Sequence, residues 1–494
     1  MLHLKERSIR AGAARFAGLG LRAVLRISAI VVLARLLEPG DFGLVAMVTV
    51  LTGVFEIFAT GGLAAATVQR SEIARHQVSS LFWMNIAIGL LIALLMVLMA
   101  PVVGGFYKDP RVAGVLMTIA PAFIVNSAGV QHIALLQRDL RYVALSTIEV
   151  AAESISVVVA IVMALTGWGY WSLVANVVGV PIIMTAGAWI ACRWRPGRPQ
   201  WDAETTSMLW FGGTITANNL IVHGAYNLEK VLLGRYFGPE ALGHYGRAYE
   251  LINLPTQIIN SAIGRVAFSG LSRLQETPER FRSYFLKSYA LVISITIPTT
   301  LFCAALSHDI VLVILGEKWL PSVEIFRLLA PAVLVFGIIN PLAWPLQSYG
   351  LQRRSLHLAM AIAPIIIGSY LIGIPYGPRG VAIAYSSAML LWLVPHVAWC
   401  LHQTPITLGD FLVTTFRPLV SAAVAALLAA AVRDLVDVLP YDLLKLGLAA
   451  TTMAVAYAWM LLVVMRQKGF YVDLLSSLRA ASHLSGAARS EGSL

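Results

Sequence analysis

The sequence is short of charge. Only 12% of its 494 residues are Asp, Glu, Lys or Arg, while 58% are hydrophobic; a water-soluble domain has an apolar share of about 45 to 50%. That imbalance excludes a soluble globule and leaves a chain built for lipid. Cysteine is equally scarce: Cys192, Cys303 and Cys400 stand far apart in apolar surroundings. With no CxxC pair and no metal-ligand spacing, thiol redox and zinc chemistry are excluded, and the three read as packing residues. A phosphate-binding glycine loop, a catalytic triad and a metal cluster are also missing, so the expectation is a protein that is not an enzyme and carries no cofactor. No cleavage site follows the amphipathic, arginine-bearing start, and the first helix is expected to act as the insertion signal. The formal charge of +11 comes from basic residues scattered singly between apolar runs. Membrane topology accounts for that pattern, and no nucleic-acid partner is expected.

What the sequence has in abundance is apolar runs of 19 residues or more, enough to cross a bilayer core of about 30 Å. They are unbroken instead of alternating, so they predict helices and not a β-barrel. The fold class is an all-α polytopic membrane protein with about fourteen transmembrane helices. The spans read as 16–37, 42–63, 81–106, 112–137, 143–165 and 170–192, then, after the polar loop RWRPGRPQWDAETTS, 209–236, 242–267, 284–306, 322–349, 356–374 and 380–401. Two more follow at 411–432 and 443–464. The organisation expected is an N-terminal six-helix bundle (1–200), a second six-helix bundle (201–404), two extra helices (405–465) and a Ser/Gly/Ala/Arg-rich tail (466–494) predicted to be disordered.

Charge asymmetry orients these spans. With a cytoplasmic N-terminus, the inside segments collect Lys5, Arg7 and Arg10; Arg70 and Arg75; Arg138 and Arg141; Arg193, Arg195 and Arg198; Arg273, Arg280 and Arg282; Arg353 and Arg354. The opposite loops are acid-balanced, as in Glu38 with Asp41 and Glu317 with Lys318. The bias predicts that both termini are cytoplasmic.

The chain also repeats itself. LARLLEPGDFGLV from Leu33 and LGRYFGPEALGHY from Leu233 share Arg35/Arg235, Pro39/Pro239 and Gly43/Gly243 at a constant offset of 200. Each reads as a tight turn between two membrane helices, in which the proline ends one helix and the glycine permits the reversal. An even number of spans separates them, which places both turns on the outer face and makes the two halves a parallel repeat.

The runs ARLLEPGDFGLVAM at 34, GLAAATVQR at 62, LLQRDLRY at 135 and NLEKVLLGRYFGPEALGHYGRAYELINLP at 227 resemble the polysaccharide transport (Wzx-like) flippases of the MOP superfamily, most closely the exopolysaccharide, colanic-acid-type branch. The resemblance covers nearly the whole chain. It implies two six-helix bundles around a central cavity, two extra C-terminal helices, and translocation of undecaprenyl-pyrophosphate-linked oligosaccharides across the bacterial inner membrane. Glu229 departs from the pattern, which more commonly has aspartate there, but keeps the carboxylate.

Charged groups within spans cost on the order of 3 kcal/mol each unless they face a cavity or a partner. In the first span Arg15, Arg22 and Arg26 share one helical face over roughly 16 Å. A cationic stripe of this kind suits a pyrophosphate, because guanidinium forks bind phosphate oxygens bidentately. The other reading is snorkelling to headgroups. Asn219, His223, Tyr226 and Lys230 form the matching face of the second half, with Tyr226 at the repeat position of Arg26; they line a substrate cleft or glue helices together. Arg247, Glu250, Asn253, Gln257 and Asn260, ending near Arg265, suit sugar hydroxyls, or Arg247 and Glu250 pair with each other. Glu56, Glu149, Glu153 and Glu229 are candidates for ion coupling, or for neutralising nearby arginines. WGYW at 168 and the Trp319 region read as interfacial belts, and Pro121, Pro181, Pro298, Pro331 and Pro341 as kinks.

The function expected is therefore a lipid-linked oligosaccharide flippase working by alternating access in the bacterial inner membrane, partnered by its lipid-linked substrate, the bilayer and a glycan polymerase or export complex. Two alternatives stay open. A cation-coupled multidrug exporter would share the architecture, although Arg22, Arg26 and Lys230 disfavour cationic cargo. A polytopic glycan polymerase or glycosyltransferase would need long outer loops, and none is long.

Overall fold

The computed structural model describes residues 2–69, 73–200 and 203–473. Its side chains are described from Gly18 in the first helix and from Gly224 in the seventh, isolated positions excepted. Among these residues the chain is helical, with no strand: α1 (Leu2–Leu36), α2 (Pro39–Gln69), α3 (Arg75–Tyr107), α4 (Pro110–Arg138), α5 (Tyr142–Leu165), α6 (Tyr170–Cys192), α7 (Ala203–Leu271), α8 (Pro278–Ala305), α9 (Ser307–Ile314), α10 (Ser322–Ile339), α11 (Ala343–Ser348), α12 (Gln352–Gly373), α13 (Gly377–Leu401), α14 (Leu408–Leu435) and α15 (Asp442–Trp459). Ten helices among the described residues are long and apolar enough to cross a membrane, and one of them, Arg353–Leu401, holds two of the expected spans. The expected spans 16–37, 209–236 and 242–267 fall in α1 and α7, which are not among the ten. The expected disordered tail begins at 466, but its first eight positions are described and 468–473 are helical; the rest lies outside the described residues.

The chain divides into two compact units. The first runs to Arg247 and adds Ile314–Pro321 and Ile366–Val381; the second begins at Ala248 and takes in Ser322–Ile365 and the chain from Ala382 onward. In the first unit α3 packs on α4, α4 on α6, α6 on α5, and α5 on α1, with α2 against α3 and α4. Small residues set these contacts. A Cβ on Gly89 would lie 2.3 Å from Ser127 Oγ on α4, one on Gly129 would lie 2.4 Å from Thr185 Oγ1 on α6, and one on Gly187 would lie 2.7 Å from Ile148 Cγ2 on α5. Between membrane helices there is no hydrophobic gain in contact itself, so close backbone approach through glycine, serine and threonine supplies the packing. The leucines at 90, 91, 94 and 98 of α3 stay exposed, as befits a surface whose solvent is acyl chain.

The repeated motif behaves differently from the turn expected of it. The first reversal occurs at Leu37 and Glu38, after which Pro39 opens α2, a first-turn position where a missing N–H costs nothing. Asp41 Oδ2 accepts the Glu38 N–H at 3.1 Å and closes that turn. In the second copy the two expected helices run together as α7, interrupted at Gly238, whose φ of 81° only glycine adopts readily. The reversal therefore sits at 38 and 238. Gly43 and Gly243 lie inside helices and serve packing instead. A Cβ on Gly43 would come within 1.6 Å of the Pro239 carbonyl oxygen, and one on Gly243 within 1.9 Å of the Pro39 carbonyl oxygen. The two copies of the motif thus cross in backbone contact, each glycine receiving the other's proline carbonyl.

Trp319 locks this crossing. Trp319, expected to belong to an interfacial belt, is fully buried within the protein. Its indole N–H donates to the Ala34 carbonyl at 2.9 Å and its ring meets Phe42 edge-on at 5.4 Å and His244 at 5.7 Å. Lys318 Nζ reaches Glu38 Oε1 at 2.7 Å. A buried ring with a satisfied N–H gains more than one left at an interface.

In the second unit α8 packs against α10 and α14, and α14 against α15. Phe281, Phe285 and Tyr289 are fully buried along one face of α8; Tyr289 stacks on Phe411 at 5.4 Å and shares a hydrogen bond of 2.9 Å with Thr415. The helix begun at Ser322 breaks at Asn340–Leu342, around the kink proline Pro341.

If the crossing holds the first unit together, Gly43→Ala and Gly243→Ala should each destabilise the purified protein by about 1 to 3 kcal/mol or more, the usual cost of overpacking. Gly40→Ala, where a Cβ meets nothing within 4 Å, should leave the melting temperature unchanged or slightly raised. Thermal unfolding in detergent checks this, and a Gly43→Ala protein as stable as the parent would refute the role of the crossing.

Candidate functional site

The described part of α1 lies along α5. Gly18 allows the approach, since a Cβ there would sit 2.8 Å from Ser146 Cβ. One turn further along α1, Arg22 Nη1 meets Glu149 Oε2 at 3.1 Å, and its Nη2 lies 3.8 Å from Glu153 Oε2. Glu149 and Glu153, four apart and so one turn apart on α5, clasp a single guanidinium. The Arg22 side chain is 37% exposed, against 10% for Glu149 and 19% for Glu153. The carboxylates are thus sunk between helices, and the arginine caps them from the open side. Arg26, one turn beyond Arg22, is exposed, as is Glu56 on α2.

On α7, Tyr226 is half-buried, and Lys230 Nζ donates to Asn227 Oδ1 at 2.7 Å. Glu229 points the other way, into the protein: it is 3% exposed with the Tyr370 hydroxyl hydrogen-bonded to it. Its Oε2 has no hydrogen-bond partner among the described residues. Further along, the Arg247 guanidinium sits 4.1 Å from the centre of the Phe42 ring, a cation–π contact across the repeat crossing. In the second unit Asn253 and Asn260 are buried and Gln257 is exposed; Asn260 Nδ2 donates to the Thr256 carbonyl at 3.0 Å. The side chains of Asn219, His223, Arg15 and Arg265 lie outside the described residues. Among the described residues, no group of three His, Cys, Asp or Glu could hold a metal.

The structure thus brings together Arg22, Glu149 and Glu153, which the sequence had placed in separate lists of cations and carboxylates. Glu229 stands apart from them, buried beside Tyr370. Tyr370 and Phe42 escaped sequence reasoning. Nothing local marks them, because their partners are 141 and 205 positions away along the chain. For Phe42 the repeat offers a partial signal, since it stands two residues before the packed position that Leu44 shares with His244.

A double-mutant cycle tests the clasp. Arg22→Ala and Glu149→Ala should each lower stability, with a coupling of about 1 to 3 kcal/mol, as for hydrogen bonds between charged groups. Strict additivity of the two would show that the pair does not interact.

The comparisons with known proteins agree with this fold. The profile of the family described as "Polysaccharide biosynthesis protein" matches residues 32–324. Lipopolysaccharide biosynthesis protein WzxC of Escherichia coli (strain K12) is 27% identical over 317 residues, 63% of this chain and 64% of that protein. Teichuronic acid biosynthesis protein TuaB of Bacillus subtilis (strain 168) is 27% identical over 57% of this chain and 58% of its own length, and succinoglycan biosynthesis transport protein ExoT of Rhizobium meliloti (strain 1021) is 25% identical over 64% of each. The chain therefore aligns with somewhat under two thirds of the length of these relatives. Among solved structures, the lipid II flippase MurJ in an inward closed conformation superposes with a TM-score of 0.72 at 14% identity, covering 94% of this chain and 100% of that one. An inward-facing MATE family transporter of the MOP superfamily superposes with a TM-score of 0.59 at 13% identity, covering 78% and 97%. The match over residues 32–324 makes this chain a member of the polysaccharide biosynthesis protein family, a multi-pass membrane protein whose fold is like those of the two solved transporters.

Proposed function

We propose that the protein is a flippase, and not an enzyme, that moves undecaprenyl-pyrophosphate-linked oligosaccharide units across the bacterial inner membrane for exopolysaccharide or O-antigen synthesis. The observation that carries this reading is the placement of Arg26: a guanidinium exposed on α1, one turn from an Arg22 already held by two carboxylates, in a chain of the polysaccharide biosynthesis family. A pyrophosphate is the ligand such a pair suits, because two guanidinium forks spaced by one turn can each grip one phosphate.

In this reading Arg26 and Lys230 make the first electrostatic contact. The pyrophosphate then competes with Glu149 and Glu153 for Arg22, and displacement loosens α1 from α5. That trade makes substrate binding and helix movement one event, as a ligand can shift an equilibrium only by binding one state better. The freed carboxylates, with Glu229 and Glu56, are then the places where a coupling ion would bind. Asn253, Gln257 and Arg247 serve the sugars. The bundles 1–200 and 201–404 alternate the cationic faces between the two sides of the membrane, residues 405–465 guide the polyprenyl tail, and both termini are cytoplasmic. A glycan polymerase or export complex takes the product onward.

Complementation of a flippase-deficient strain is the test. At matched membrane levels, Arg26→Ala and Lys230→Ala should each cut glycan export by about tenfold or more, the effect of losing one charge-assisted contact. Full export by both variants would refute the assignment of these residues. A wild-type chain that expelled cationic dyes but left lipid-linked oligosaccharide on the cytoplasmic face would overturn the flippase reading itself.

A further inference from the structure

The segment after α6, Arg193 to Gln200, folds back over the start of α3. Arg193 ends α6 in a left-handed conformation, with φ of 54°. The Gly197 N–H then donates to Ser79 Oγ at 2.9 Å, the Gln200 N–H donates to Ser80 Oγ at 2.8 Å, and the Trp83 indole N–H donates to the Gly197 carbonyl at 2.9 Å. Trp194 packs edge-on against Phe82 at 5.9 Å. The loop is thus pinned by its backbone and its aromatic ring, while its arginines take no part in the pinning.

Between this loop and α3 lies a cavity of about 640 Å³ whose wall, among the described residues, carries Arg75, Arg193, Arg195, Arg198 and His76, and no carboxylate. Among the described residues none of the four arginines has an ion-pair partner. The contrast is a cavity of about 420 Å³ in the second unit, where Arg433 faces Asp309 at 3.0 Å and Asp434 at 3.6 Å, so that the charge is balanced from within. Four guanidiniums gathered around one space repel one another unless an anion sits among them.

The outer side of the same site is apolar. Trp83 and Trp189 are 44% and 38% exposed beside the loop, and the exposed face of α3 continues from Trp83 through Leu90 and Leu94. Tryptophans at this position mark the level of lipid headgroups, and the leucines below them offer a track for acyl chains. A free phosphate would use only the upper part of this surface. We infer that the cavity binds the phosphodiester headgroup of an anionic phospholipid, with its acyl chains running down α3. Basic pockets between membrane helices are where such headgroups are held. The inference concerns binding alone and does not depend on the transport reading.

The test uses the full-length protein, purified in detergent and returned to nanodiscs of phosphatidylglycerol and cardiolipin or of phosphatidylcholine alone. Native mass spectrometry and thermal unfolding provide the readouts. The parent should retain anionic lipid and melt higher with it. R193Q/R195Q/R198Q should weaken retention by about a hundredfold, at about fivefold for each basic residue beside an anionic headgroup. R273Q/R280Q/R353Q, which removes the same charge elsewhere, should retain lipid as the parent does. Arg195→Gln alone should show about a fivefold loss, and serves if the triple variant fails to fold. Equal retention by the parent and the loop variants would overturn the proposal. So would stabilisation of the parent by inorganic pyrophosphate or phosphate as strong as by lipid, since that would make the ligand a soluble anion.

Discussion

Two backbones cross where Gly43 receives the carbonyl of Pro239 and Gly243 receives the carbonyl of Pro39, at separations that exclude any side chain. The rest of the first unit takes its register from that contact. It sets where α2 starts, where α7 changes direction, and where Trp319 and Lys318 find the Ala34 carbonyl and Glu38. Gly234 extends the same principle: a Cβ there would lie 2.9 Å from Tyr107 Cε1 and 3.0 Å from Met47 Cγ. Helices meeting this closely gain dispersion along their whole backbone, which in lipid is the main source of attraction available to them.

The crossing also places the polar groups in depth. Counted back at 1.5 Å per residue, Arg26 and Arg22 lie about 20 to 25 Å along α1 from Pro39, and Lys230 and Tyr226 lie about 14 to 20 Å along α7 from Pro239. If the crossing lies at one edge of a hydrocarbon core of about 30 Å, all four fall within that core. At that depth a charge needs a counter-charge or water. Arg22 has its counter-charges in Glu149 and Glu153, and Lys230 leans on Asn227. Arg22 is thus clasped by carboxylates, whereas the described wall of the cavity beside the loop after α6 carries arginines and no carboxylate.

The spans were legible from length and hydrophobicity because a bilayer demands runs of fixed length, and most expected spans fall within helices whose ends shift by only a few residues. The turn glycines were misread for a physical reason. Glycine answers equally to a need for positive φ and to a need for no side chain, and only the partner backbone tells which need applies. At Gly238 it is φ; at Gly43 and Gly243 it is space. Trp319 shows the same limit, since its burial and the Ala34 carbonyl that accepts its N–H leave no local mark in the sequence. The site was half legible: one-face spacing grouped Arg22 with Arg26, and Glu149 and Glu153 were named as carboxylates that could neutralise an arginine, but the 127 positions between Arg22 and Glu149 carry no pattern that joins them.

By itself the sequence determined that this is a helical membrane protein, that its two halves repeat at an offset of 200, and which residues are costly enough in lipid to need a reason. Those conclusions follow from local quantities: run length, charge density and helical period. The tertiary structure alone decided that the repeated motifs touch each other, that Arg22 is clasped by Glu149 and Glu153, and that the arginines of the 193–200 loop surround one space. Each of these depends on which backbone lies within a few ångströms of which, and that is settled by the packing of helices far apart in the chain.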